Sequence, residues 1–208
     1  GDRRCRPQSY LYGQIYTYKY KYLIGRVLPD VKGSREYIKW YTDDEKEQLC
    51  NRFNTLRDET VFRLTLEGFR IDEALSMRLA DYHAAERLIQ PSRSKRRQPA
   101  SMGHENKLRT VRISEETAEV LNEYLFIERP SAENAGGTIS NWIFLNLRGS
   151  SVGQPLSYHN FRKILKSCAD RCGMEPEKIR THSGRSTKVM EVLENNALHP
   201  EEAKSDVQ

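Results

Sequence analysis

The chain has 208 residues, 37% of them apolar, a net charge of +5, a mean hydropathy of −0.78 and a pI near 9.0. Such a chain can bury one sizeable core. It has no apolar run near the about 20 residues of a membrane span, and no apolar stretch follows Gly1-Asp2-Arg3-Arg4-Cys5-Arg6 to make a signal peptide.

The basic balance favours a polyanionic partner; the setting expected is cytoplasmic, nucleoid-associated in a bacterium. The four cysteines, Cys5, Cys50, Cys168 and Cys172, include no CxxC pair and do not cluster with histidines. They read as thiols in a reducing compartment, so neither a zinc site nor a disulfide framework is expected.

In chain order, Tyr16, Tyr18, Tyr20 and Tyr22 alternate with Thr17, Lys19 and Lys21. That period of two predicts an extended segment with an aromatic face and a basic face. Pro29-Asp30 and Lys32-Gly33-Ser34 read as a linker. Residues 1–40 therefore form an N-terminal basic, aromatic segment, and 41–208 form the main domain. Thr42-Asp43-Asp44-Glu45 fits a capping box that opens a first helix. A second helix is predicted over 59–66, ended by Gly68, and a short third over 71–77. Strands are predicted at 87–89 and 108–113, separated by a basic loop from Pro91 to Pro99. Ser114 is a plain N-cap for a helix carrying Ala118, Val120, Leu121, Tyr124 and Leu125. Residues 130–141 read as loop, Trp142-Ile143-Phe144-Leu145 as a buried extended run, and 149–155 as a turn-rich loop. Ser157 caps a helix ended by Gly173. A last helix spans 182–193, with Val189, Val192 and Leu193 apolar. The order predicts an α+β fold, mainly α, with a small antiparallel sheet.

Two stretches carry chemistry. Thr181-His182-Ser183-Gly184-Arg185-Ser186-Thr187 and Glu67-Gly68-Phe69-Arg70-Ile71-Asp72-Glu73-Ala74-Leu75 each place an arginine at or near a helix start. In-line phosphodiester transfer gathers negative charge on non-bridging oxygens, so fixed positive donors aimed there lower its barrier. Arginine suits this because it is always charged and its planar fork donates two parallel hydrogen bonds. Arg70 and Arg185 are the candidates. His182, three residues before Arg185 and on its helix face, can donate a further bond or move a proton. Glu73 can pair with Arg70 and hold its guanidinium.

The ordered set from Gly68-Phe69-Arg70-Ile71-Asp72-Glu73-Ala74-Leu75, through Gly153-Gln154-Pro155-Leu156 and the Phe161 helix, to His182-Ser183-Gly184-Arg185 resembles the catalytic domain of tyrosine recombinases, the phage integrase family. The resemblance covers about residues 40–195. It implies double-stranded DNA as partner, no metal or other cofactor, no membrane, and a homotetramer on paired sites for the full-length protein. A tyrosine would attack the backbone phosphorus, form a 3′-phosphotyrosine and free a 5′-hydroxyl. Arg70 and Arg185 would clamp the phosphate, His182 would assist, and Glu73 would support Arg70. A turn lysine would protonate the leaving oxygen. Lys107 is the choice, with His104 in an alternative register and Lys95 a third candidate. Arg93, Lys95, Arg96, Arg97, Lys107 and Arg109 form the expected phosphate-contacting patch.

The resemblance places the nucleophile downstream of His182-Ser183-Gly184-Arg185, yet no tyrosine follows Tyr158. The expectation is a catalytic domain cut before its nucleophile, which binds DNA without forming a covalent adduct. The other readings are a type IB topoisomerase-like enzyme, a non-catalytic DNA-binding module of the same shape, and a basic structural domain.

Overall fold

The structure, a computed structural model, describes residues 2–4, 17–19, 37–38, 40–91 and 110–198. The chain divides into two compact units, Gly1–Glu36 and Tyr37–Gln208. In the first, strand β1 (Asp2–Arg4) pairs antiparallel with β2 (Thr17–Lys19). Tyr16, Tyr20 and Tyr22 lie outside the described residues.

The second unit is mainly α with a small antiparallel sheet. Helix α1 (Asp43–Arg52) opens with the expected capping box: Thr42 Oγ1 accepts from the Glu45 N–H (3.3 Å), and the Glu45 carboxylate accepts from the Thr42 N–H (2.9 Å). Helix α2 (Leu56–Leu66) starts three residues before the expected boundary because Thr55 caps it and the Glu128 carboxylate takes the N–H groups of Leu56 and Arg57, both at 3.0 Å. A partner 72 residues away thus satisfies donors that a helix start leaves orphaned. Helix α2 runs through the core, burying Val61, Phe62 and Leu64 together with Thr60 and Thr65. Its buried Arg57 is paired with Asp58 and donates to the Leu145 carbonyl (2.9 Å), so the charge is compensated.

Helix α3 (Ile71–Leu75) and a short 3-10 turn (Leu79–Asp81) lead into the sheet. Strands β3 (Tyr82–His83), β4 (Leu88–Ile89) and β5 (Val111–Arg112) pair antiparallel in that order. The second and third are shorter than the sequence predicts, and β3 has no counterpart in that prediction; two residues are too few for an alternation to register. Helix α4 (Glu115–Phe126) begins on Ser114 as a plain cap.

Residues 130–141 correct the sequence reading, since a helix, α5 (Glu128–Gly136), occupies most of them. Pro130 is tolerated because it falls in the first turn, where its missing N–H is no loss. Buried Arg129 pairs with Glu133 (3.1 Å) and donates to the Ser140 and Trp142 carbonyls, and Gly137 in the left-handed region closes the helix. The run after it is extended and buried, with isolated bridges from Trp142 to Arg78 and from Leu145 to Pro155. Tyr124 stacks on Phe144 with ring centroids 5.7 Å apart. Helices α6 (Tyr158–Arg171) and α7 (Ser183–Leu198) complete the unit. Gly173 ends α6, with the Met174 N–H reaching the Ala169 carbonyl (2.9 Å).

Helix α7 is longer than expected, and its apolar positions do not face the core. Val189, Val192 and Leu193 are 45–56% exposed, whereas Ser183, Gly184 and Thr187 are buried. Cys50 and Cys168 are buried free thiols, and burial pushes them up to about 11 and about 12. Among the described residues no helix is long and apolar enough to cross a membrane, and no group of three metal-ligating side chains gathers.

Candidate phosphate-binding site

The site begins where α2 stops. Gly68 adopts φ +91°, its N–H bonds to the Thr65 carbonyl (3.1 Å), and the Phe69 N–H reaches the Leu64 carbonyl (3.1 Å). This pair of closing bonds needs a residue that tolerates the left-handed region, which is why glycine stands there. Phe69 is fully buried and turns the chain inward, and Arg70 follows as the residue that caps α3. Glu73 grips Arg70 twice: Oε2 accepts from the Arg70 backbone N–H (3.0 Å) and Oε1 accepts from Nη1 (2.8 Å). The Glu73 side chain is 7% exposed and that of Arg70 is 38% exposed. The carboxylate is therefore a buried anchor, and the guanidinium it holds still presents a face to solvent.

Helix α7 brings the other two groups. The His182 carbonyl accepts the first helical bond, from the Ser186 N–H (3.0 Å), so His182 sits at the cap with Arg185 one turn further on the same side. Both stand at the positive end of the helix dipole. Gly184 lies against α2, where a Cβ would stand 2.9 Å from Thr65 Cβ and overlap Thr65 Oγ1. That close approach lets Arg185 Nη1 donate to the Gly68 carbonyl (2.6 Å). The arginine of α7 is thus tied to the turn that leads into Arg70, 117 residues away in sequence from its Gly68 partner.

Residues 37–38 and 40–41 strap the start of α7. The Ile38 N–H bonds the Lys178 carbonyl (2.9 Å), the Ser183 hydroxyl donates to the Ile38 carbonyl, and the Tyr41 N–H donates to Thr187 Oγ1 (2.8 Å). The Arg180 guanidinium stacks over the Tyr37 ring at 5.0 Å. Burial raises the Tyr41 phenol well above its ordinary value, with a hydrogen bond from Ser183 opposing. A further anchor joins this region to the sheet: Glu67 Oε1 accepts from the Ser114 N–H (2.9 Å) and the Thr117 hydroxyl (3.0 Å), so the end of α2 is fastened to the chain leaving β5.

The structure thus ties Arg70, Glu73 and Arg185 to one turn, with exposed His182 at the same helix start as Arg185. Lys107, His104 and the basic residues Arg93, Lys95, Arg96, Arg97 and Arg109 lie outside the described residues. Sequence reasoning missed Glu67 and the strap before α1. Neither carries a local signal, because each acts through partners 47 or more residues away. The set can hold a phosphate or similar anion by charge-assisted donors, one fixed by a buried carboxylate.

Fold and site together define a mainly helical domain built round paired arginines at one turn. The chain belongs to the phage integrase family, whose profile matches residues 39–198. Transposase A from transposon Tn554 of Staphylococcus aureus is 24% identical over 160 residues, which cover 76% of this chain and 42% of that protein. The chain therefore spans less than half the length of the curated relatives it matches. Among solved structures, XerA recombinase superposes with a TM-score of 0.57 at 18% identity, covering 76% of this chain and 52% of that one. The Tn1549 transposon integrase in complex with circular intermediate DNA gives a TM-score of 0.59 at 15% identity, covering 79% and 55%. XerH recombinase bound to its difH substrate gives 0.56 at 16%, covering 78% and 44%. The fold is that of tyrosine recombinase catalytic domains.

Proposed function

We propose that this chain is the phosphate-activating part of a site-specific DNA recombinase of a mobile element. The observation that carries the reading is the tethering of Arg70 and Arg185 to one turn, Arg70 by the buried Glu73 and Arg185 by the Gly68 carbonyl. Arg70 and Arg185 donate to the non-bridging oxygens of the scissile phosphate, and His182 donates a third bond or moves a proton. As charge builds on those oxygens, the fixed donors strengthen without having to reorganise. Glu73 holds Arg70 in place. The basic stretch Arg93, Lys95, Arg96, Arg97 and Arg109 contacts the DNA backbone.

In the longer protein, the group that attacks phosphorus is a tyrosine. The Tyr O–P bond forms as the P–O5′ bond breaks, the phenol proton leaves to water, and Lys107 gives a proton to the departing 5′-oxygen. The 3′-phosphotyrosine preserves the bond energy, so a 5′-hydroxyl rejoins the strand without a cofactor. The 208-residue chain binds double-stranded DNA. The longer protein acts as a homotetramer on paired sites.

Two measurements test this. Affinity of the 208-residue chain for duplex DNA should fall steeply as salt rises, since phosphate contacts release counterions. Flat affinity over a several-fold rise in salt would refute DNA binding. In the longer protein, a nicked substrate should trap a covalent adduct that Arg70→Ala and Arg185→Ala abolish. An adduct that persists in both variants would refute the assigned roles.

A further inference from the structure

His182 is exposed, and its catalytic use requires that one ring nitrogen be aimed and that its proton sit on the correct side. The structure shows what lies behind the ring. Thr181 Oγ1 is 3.4 Å from His182 Nδ1, and the Tyr158 hydroxyl is 3.2 Å from the same Thr181 oxygen. Thr181 is 8% exposed, so its hydroxyl has little water to turn to. Tyr158 is the first residue of α6, whose start is set by the Ser157 cap and by the Leu156 N–H bonded to the Phe144 carbonyl (2.9 Å). The backbone under Thr181 is held as well: the Tyr41 hydroxyl donates to the Arg180 carbonyl (3.5 Å) and the Ser183 N–H to the same atom (3.2 Å). Both ends of the chain are therefore anchored, one on α6 and one on the strap that crosses α7.

We propose that Tyr158 and Thr181 are positioning residues that fix the imidazole of His182 in its Nε2–H form, so that it meets phosphate as a hydrogen-bond donor. The inference rests on the reading of His182 as a phosphate ligand and adds the direction of its proton. That direction follows from the chemistry of the three groups. A phenol is a better hydrogen-bond donor than an aliphatic hydroxyl, and a poorer acceptor. Tyr158 therefore donates to Thr181 Oγ1. The single hydrogen of Thr181 is then left for Nδ1, which must be an acceptor. The remaining ring proton goes to Nε2. Each bond polarises the next in the same sense, which favours this direction over its reverse. A carbonyl or carboxylate behind a functional histidine accepts from Nδ1–H; a donating hydroxyl orients the ring in the same way but leaves the proton on Nε2.

The test reads the ring directly and needs no DNA. The 208-residue chain is labelled with nitrogen-15 at its histidines, His182 is assigned by comparison with His182→Gln, and the Nε2–H to Nδ1–H ratio is read near pH ~9, where ordinary histidines are neutral. The Nε2–H form should dominate. Thr181→Val, which keeps the shape and removes the hydroxyl, should lower the ratio about fivefold, the factor an ordinary hydrogen bond contributes. Tyr158→Phe should lower it less, and Thr181→Ser should restore it. If Thr181→Val fails to fold, Tyr158→Phe decides, because Tyr158 is 41% exposed and the change removes only its hydroxyl. A predominant Nδ1–H ring in the wild type, or a ratio unmoved by either variant, would overturn the proposal. Duplex-DNA affinity measured in parallel separates the two readings. Loss of DNA binding with an intact tautomer bias would sink the recombinase reading alone, and an unbiased ring with normal DNA binding would sink the relay alone.

Discussion

Gly184→Ala is the sharpest probe of how the two arginines are brought together. Position 184 lies in the first turn of α7, packed on the end of α2. A methyl there would overlap Thr65 Oγ1, stand 2.9 Å from Thr65 Cβ and lie 3.3 Å from the Thr65 carbonyl carbon. Thr65 cannot simply rotate away. It is buried, and its hydroxyl donates to the Phe62 carbonyl at 2.7 Å. Relief therefore requires α7 to shift outward, and overpacking of this kind costs about 1–3 kcal/mol. Forfeiting the Thr65 hydrogen bond costs about 1 kcal/mol more. The helix preference of alanine over glycine returns up to about 1 kcal/mol. The net loss is about 1–3 kcal/mol, or about 2–12 °C in Tm for a chain of this size. Urea unfolding followed by circular dichroism measures it. An outward shift also stretches the 2.6 Å bond from Arg185 to the Gly68 carbonyl, so duplex-DNA affinity should fall in folded protein. In a Thr65→Ala background the alanine at 184 should cost less, because the overlapping hydroxyl is gone and the two sites couple. Unchanged stability in Gly184→Ala, or strict additivity with Thr65→Ala, would refute the steric argument.

Glu73→Gln leaves one acceptor where two are used, so Arg70 loses either its backbone or its guanidinium partner. The expected cost is about 1–2 kcal/mol, reduced from that of a fully buried pair because Arg70 is partly in water. DNA affinity should fall further than in a surface control such as Glu175→Gln, measured by titration at low salt. Tyr124→Phe removes a hydroxyl that donates to the Ile143 carbonyl (2.9 Å) and accepts from the Leu145 N–H (3.1 Å). Two buried backbone groups lose their partner, for about 1–3 kcal/mol by chemical unfolding. The same phenol makes a pH signature. Burial pushes it from 10.0 up to about 12, so its contribution is fully present below pH 10 and is lost as pH rises from 10 toward 12. Wild-type stability should fall across that window, and Tyr124→Phe should flatten the slope by about one proton, about 1.4 kcal/mol per pH unit. An identical alkaline slope in the variant would contradict the assignment.

Several parts of the architecture were legible in the sequence because their signals are local. A cap acts within three or four residues, so Thr42 with Glu45, Ser114 and Ser157 announce their helices wherever the chain goes. Gly68 and Gly173 announce helix ends for the same reason, since a left-handed residue is demanded by the helix it closes. The three-residue step from His182 to Arg185 likewise needs only helix geometry.

Tertiary structure decided the rest. Helix α5 exists over a proline- and glycine-marked stretch because Arg129 finds carbonyls beyond its C-terminus and Glu128 finds the open N–H groups of α2. Hydrophobic periodicity does not mark the buried face of α7, which is formed by Ser183, Gly184 and Thr187. A helix that approaches this closely needs small side chains at the contact, and its few apolar residues are left in solvent. The tie of Arg185 to the turn that leads into Arg70, and of Tyr158 to Thr181, has no periodicity at all. Such pairs depend on how far helices approach and which carbonyls they leave open, quantities that exist only once the core has packed.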